Sequence, residues 1–136
     1  MMLNERIRNY YLEQDMNCSE DLILSANDEY NLGLDRETLK IMSGFGGGFG
    51  CGSVCGAVCG ALGAISYLAV DGRAHATEGF GGLCGEFMSL VEQEMGSTLC
   101  CELKAKYRNE TERCVPTCEK VGQLLEQFLK SHNLVE

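Results

Sequence analysis

Nine cysteines are the residues in this 136-residue chain with the most chemistry to offer: Cys18, Cys51, Cys55, Cys59, Cys84, Cys100, Cys101, Cys114 and Cys118. An odd number cannot pair off completely within one chain. The N-terminal stretch, MMLNERIRNYYLEQD, is charged and amphipathic where a secretory signal needs an apolar run. The expected location is therefore a reducing cytoplasm, where cysteines read as metal ligands or redox thiols before structural disulfides. Cys51, Cys55 and Cys59 follow a C-x3-C-x3-C spacing, which on a helix forms one stripe with Cβ atoms roughly 5–6 Å apart. The spacing is neither the C-x2-C-x2-C run of ferredoxins nor the C-x2-C pair of a zinc ribbon. No C-x-x-C-H occurs, which excludes covalent c-type haem, and the absence of C-x-x-C weakens a thioredoxin-like reading. Cys114 and Cys118 stand four apart, and Cys100 and Cys101 are adjacent.

The elements that carry these thiols read as helices. Val, Ile and Thr are sparse and no long alternation marks a strand. A first helix is expected over about Asn4–Gln14. A second starts after Asn17, with Glu20 completing a capping box, presents Leu22, Ile23 and Ala26 to a core, and stops at Gly33. Asp35 caps a third, flanked by Leu34 and Leu39 at the staple positions, and glycines end it near Ser43. A fourth runs over about Ser53–Val70 and closes at Asp71-Gly72. A fifth covers about Glu78–Met95. Ser97 or Thr98 caps a short helix bearing Cys100, Cys101 and Leu103. The last begins at Pro116, a favoured first-turn residue, with Val121, Leu125 and Phe128 at helical spacing. The expectation is an all-α, single-domain bundle of about five to seven helices over residues 1–136, with a Gly-rich loop before a buried central helix.

Most of the cysteines therefore stand at or near helix N-termini: Cys18 after Asn17, Cys55 after the glycine loop, Cys100 and Cys101 after Ser97 and Thr98, Cys118 after Pro116. Unpaired N–H groups and a partial positive charge there favour the thiolate, the form that ligates metal. Four such ends aimed at one point suit an anionic cluster held by four thiolates. The loop Gly44-Phe45-Gly46-Gly47-Gly48-Phe49-Gly50-Cys51-Gly52 allows close approach of backbone to a ligand, and Gly46, Gly47, Gly48 and Gly50 are candidates for an anion-binding nest. The loop is not a P-loop, since no Gly-Lys-Ser/Thr follows, and G-x-G-x-x-G fits in no register.

A net charge of −9 and a pI of about 4.7 disfavour nucleic acid and anionic lipid as partners. Residues 41–70 carry no charge, long enough for a bilayer span, but Gly and Ser dilute them; they read as a buried loop and helix. His75 and His132 read as surface residues, and no carboxylate pair or Ser–His–Asp arrangement stands out.

The segment FGGGFGCGSVCGAVCGALGA resembles the signature of the C_GCAxxG_C_C family of redox-active proteins. The Cys-Gly-Ala-x-x-Gly core is matched by Cys55-Gly56-Ala57-Val58-Cys59-Gly60. The earlier Asn-Cys-x-Glu context is matched by Asn17-Cys18-Ser19-Glu20, and the third by Cys101-Glu102-Leu103. For the fourth, Cys118 fits better than Cys114. The resemblance implies an iron–sulfur cluster, [2Fe-2S] or [4Fe-4S], with Cys18, Cys55, Cys101 and Cys118 as first ligands and Cys51 and Cys59 next. It is similar to the cluster domain of split-Soret cytochromes, which are dimers; a homodimer is left open, and the missing attachment motif implies no haem. The function expected from the resemblance is electron transfer or redox sensing with an oxidoreductase partner, rather than a stand-alone enzyme. The alternatives are a thiol–disulfide oxidoreductase working through Cys55 and Cys59, and a Zn or Cu(I) thiolate protein.

Overall fold

A computed structural model describes residues 2–136. Seven α-helices follow in order: α1 (Leu3–Arg8), α2 (Cys18–Glu29), α3 (Arg36–Leu39), α4 (Gly56–Ala69), α5 (Phe80–Met95), α6 (Cys100–Tyr107) and α7 (Val115–Ser131). The described residues form no named strand, only two isolated bridges, Val54 with Leu99 and Asn109 with Arg113. The fold is the all-α bundle expected from the sequence.

Local chemistry sets the boundaries. Asn17 caps α2 reciprocally: its side chain accepts from the Glu20 N–H at 3.0 Å, and Glu20 accepts from the Asn17 N–H at 3.0 Å. The Asn17 amide also donates to the Ser43 carbonyl at 2.9 Å, tying the start of α2 to the segment ahead of the glycine loop. Asp35 caps α3, which lasts one turn and tightens into a 3-10 helix over Lys40–Phe45. The first helix widens into a π turn over Asn9–Glu13. Three elements differ from the sequence expectation. Helix α6 is capped at Leu99 with no side-chain cap bond, and not by Ser97 or Thr98, because the Ser97 hydroxyl accepts from the Leu99 N–H ahead of the helix. Helix α2 ends at Glu29, ahead of Gly33. Helix α4 begins at Gly56 and not near Ser53, because the preceding backbone is taken up by tertiary pairing: the Cys100 N–H donates to Ser53 O at 2.6 Å and the Cys55 N–H to Thr98 O at 2.8 Å.

The core lies where α4, apolar nearly all round, packs on α2 and α7. Leu22, Ile65, Phe87, Val91, Leu125 and Leu129 are fully buried. Phe87 meets Phe128 edge-on at 5.2 Å, joining α5 to α7. Helices α2 and α4 approach closely because Gly60 has no Cβ; one placed there would lie 2.6 Å from the Ser19 carbonyl and 2.9 Å from Leu22 Cβ. This contact fixes Cys18, at the start of α2, relative to Cys55, at the start of α4. Among the described residues no helix is long and apolar enough to cross a membrane.

A thiol cavity at four helix starts

Cys18 is the first residue of α2, Cys55 the N-cap of α4, Cys100 the first residue of α6 and Cys114 the N-cap of α7. All four line one cavity of about 280 Å³. Cys55, Cys100 and Cys114 are buried, and Cys18 is half-buried. Cys118, one turn into α7, lies fully buried, and the Cys18 thiol is within hydrogen-bonding reach of both Cys114 and Cys118. All nine cysteines are free thiols.

The glycine loop forms another part of the wall through Gly47. Gly47, Gly48, Phe49 and Gly50 all have positive φ, between 63° and 75°, so the loop makes a left-handed turn. Gly48 must be glycine on two counts: its φ is +63°, and a Cβ would stand 2.5 Å from Ser53 N and 2.7 Å from Cys100 Cβ. This close approach seats Cys100 against the loop. Of the other glycines proposed for ligand contact, Gly46 packs on the Asn17 side chain and Gly50 faces open space; neither lines the cavity. Phe49 holds a left-handed conformation costly for a side chain of its size and rests edge-on against Phe45 at 5.5 Å.

The remaining cysteines fall outside the cavity wall. Cys101 is exposed, next to Cys100 but on another side of α6. Cys51 is exposed in the loop, where its thiol donates to Gly48 O at 3.4 Å. The stripe expected for Cys51, Cys55 and Cys59 is broken, because Cys51 precedes the helix with φ −138°. Cys59 lies half-buried on α4, one turn beyond Cys55, and Cys84 half-buried on α5. Neither lines the cavity.

Helix starts were expected to lower the thiol pKa; burial reverses the sign. Desolvation pushes Cys55 up to about 11 although the Val58 and Ala57 backbone N–H groups favour its thiolate. Cys118 is held at about 11: contact with Cys18 favours its thiolate, but burial and the nearby Asp21 outweigh it. Cys114 is driven well above the usual thiol range, first by its contact with Cys18 and then by burial. For Cys18 the Cys114 contact lowers the pKa, while the Cys118 contact and burial raise it by more. Cys100 is raised by burial, against an opposing pull from Lys104. Burial thus favours the neutral thiol over the thiolate at this site.

Three cations share the cavity: Lys104, Arg108 and Arg113. The sequence analysis assigns no role to these three, and it places Cys100 and Cys114 outside the first ligand set. The available signal was the run Cys100, Lys104, Arg108, spaced by four. Behind Cys118 lies Asp21, fully buried; its Oδ1 accepts from the Ser25 hydroxyl at 3.0 Å and its Oδ2 has no partner. Burial pushes this carboxyl up to about 8. Among the described residues no three His, Cys, Asp or Glu side chains converge to hold a single metal ion.

An all-helical chain whose helix starts bring thiols to one cavity is, by fold and site, a cysteine-rich all-α protein. More specifically, residues 16–128 match the family described as putative redox-active protein, C_GCAxxG_C_C, and the chain is a member of that family. No curated protein and no solved structure is significantly similar to it.

Proposed function

We propose that this protein is a cytoplasmic electron-transfer or redox-sensing protein whose cavity thiols hold an iron–sulfur cluster, working with an oxidoreductase partner. The observation that carries the reading is that Cys18, Cys55, Cys100 and Cys114, from four separate helix starts, line one cavity. Membership of a redox-active family supports it. The residues fit the group by their chemistry: soft sulfur donors for iron, backbone N–H groups at the start of α4, and three cations for net negative charge. A cavity of about 280 Å³ lined by four thiols has room for a polynuclear group.

A bound cluster would supply one-electron redox chemistry. The protein's own part is to position and shield. Gly60 and Gly48 set the α2–α4 and loop–α6 approaches that fix three of the thiols. Apolar packing around α4 keeps water from the inner side of the site, which favours electron transfer with little reorganisation. In the proposed ligand set Cys100 takes precedence over Cys101, which is exposed, and Cys114 over Cys118, which sits behind the wall. Cys118 is then the nearest substitute, one helical turn away.

Anaerobic purification, iron and acid-labile sulfide analysis and a visible spectrum test the proposal. Single serine variants of Cys18, Cys55, Cys100 and Cys114 should each lower occupancy. Full iron and sulfide occupancy in all four would refute the assignment, and a colourless, metal-free protein after anaerobic reconstitution would refute the function. The raised pKa of Cys55 and Cys59 runs against the low-pKa nucleophile that a Cys55–Cys59 couple would need.

A further inference from the structure

The chain carries 20 acidic residues against 11 Lys and Arg, yet three of those cations converge on the thiol cavity. Their convergence is built by local structure. Helix α6 places Cys100 and Lys104 on one face, and Arg108, the residue that caps its C-terminus, brings a second cation to the same cavity. A tight turn follows: the Asn109 side chain accepts from the Glu112 N–H at 2.7 Å and the Asn109 N–H donates to Arg113 O at 3.1 Å. Arg113, at φ +55°, is thereby returned to the cavity beside Arg108 and rests over the Tyr11 ring at 4.9 Å. Arg113 has a distant carboxylate, Asp15 at 3.8 Å. Among the described residues Lys104 and Arg108 pair with no carboxylate, although acidic residues are nearly twice as numerous. Both are exposed while Cys100 and Cys114 are buried, so the charge sits at the mouth and the sulfur at the floor.

We propose that Lys104, Arg108 and Arg113 form an anion-binding subsite at the mouth of the thiol cavity, accepting a small, multiply charged free oxyanion of about the size of phosphate. A guanidinium offers paired donors to two oxygens and an ammonium adds a point charge, the combination that recognises oxyanions. In an acidic protein such a mouth is a local place where anions are attracted rather than repelled. The inference rests on the proposed function in taking this cavity as the working site, and not on the presence of iron.

The experiment uses the full chain, metal-free and kept reduced, titrated calorimetrically with inorganic phosphate at low ionic strength. Wild type should show saturable binding at one site, weakened at least tenfold in K104Q/R108Q. The control K40Q/K130Q removes the same charge from exposed lysines away from the cavity and should bind as wild type. Circular dichroism confirms the fold of each variant. As a locating readout, phosphate should slow iodoacetamide labelling of Cys100 and Cys114 but not of exposed Cys101. Absence of saturable binding, an equal loss in the control, or equal slowing at Cys101 overturns the proposal. A protein that binds phosphate but never acquires iron and sulfide refutes the cluster reading alone; one that loads iron but ignores phosphate refutes the subsite alone.

Discussion

Asp21 gives the sharpest quantitative test of this architecture. It is fully buried on α2, one turn behind Cys18, with one oxygen bonded to Ser25 and the other unpartnered. Its carboxyl is raised from 3.8 to about 8 by burial, against a smaller opposing pull from Ser25. At pH 7 the folded protein therefore holds a proton on Asp21 that the unfolded chain has released. Taking up that proton costs about 1.4 kcal/mol for each pH unit above the unfolded value, or about 4 kcal/mol at pH 7. The sign follows from the raised pKa: the contribution to stability is complete below 3.8 and is lost as pH rises towards 8. D21N keeps the shape and the acceptor for Ser25 but has no proton to exchange. Its buried amide adds a roughly pH-independent cost of about 1–3 kcal/mol, so the slope and not the offset is diagnostic. Urea unfolding of reduced, metal-free wild type and D21N should be compared at steps from pH 4.5 to 7.5. The variant should gain on wild type by about 1 kcal/mol per pH unit across that range. Stability differences that stay parallel over the whole range would refute the buried, protonated carboxyl.

Serine at Cys100 should abolish most iron and sulfide loading, whereas serine at Cys101 should leave it near wild type; equal effects in anaerobic reconstitution would reject the cavity as the site. Loading should strengthen as pH rises from 6 to 8, approaching tenfold per unit for each thiol proton displaced, because burial keeps the thiols protonated. Competition with a chelator at each pH reads this directly, and a flat profile contradicts it. Gly60→Ala should destabilise by about 1–3 kcal/mol in denaturant unfolding, since its Cβ would meet the Ser19 carbonyl at 2.6 Å. Asn17→Ala should cost about 1–2 kcal/mol through the lost capping box, with thermal unfolding as the check.

Much of the fold is legible in particular residues. The Asn17–Glu20 box, the Asp35 cap and Pro116 mark helix starts by local hydrogen bonding and backbone geometry, which a short stretch of sequence carries in full. Helix α4 starts about a turn later than its sequence suggests because the Ser53 carbonyl accepts from the Cys100 N–H and the Cys55 N–H donates to the Thr98 carbonyl, residues more than forty positions away.

By itself the sequence determined an all-helical chain with thiols at helix starts and a glycine loop in their midst, since caps, apolar spacing and glycine are local signals. Only the tertiary structure decided which thiols meet. Cys100 and Cys101 are equivalent in sequence, and rotation about α6 against the loop at Gly48 turns one to the cavity and the other to solvent. Packing also decided their charge state, because desolvation outweighs the helix-start N–H groups that sequence reasoning had counted alone. It likewise gathered Lys104, Arg108 and Arg113 at one mouth, a convergence made by a helix face and a tight turn and invisible in a chain that reads as uniformly acidic.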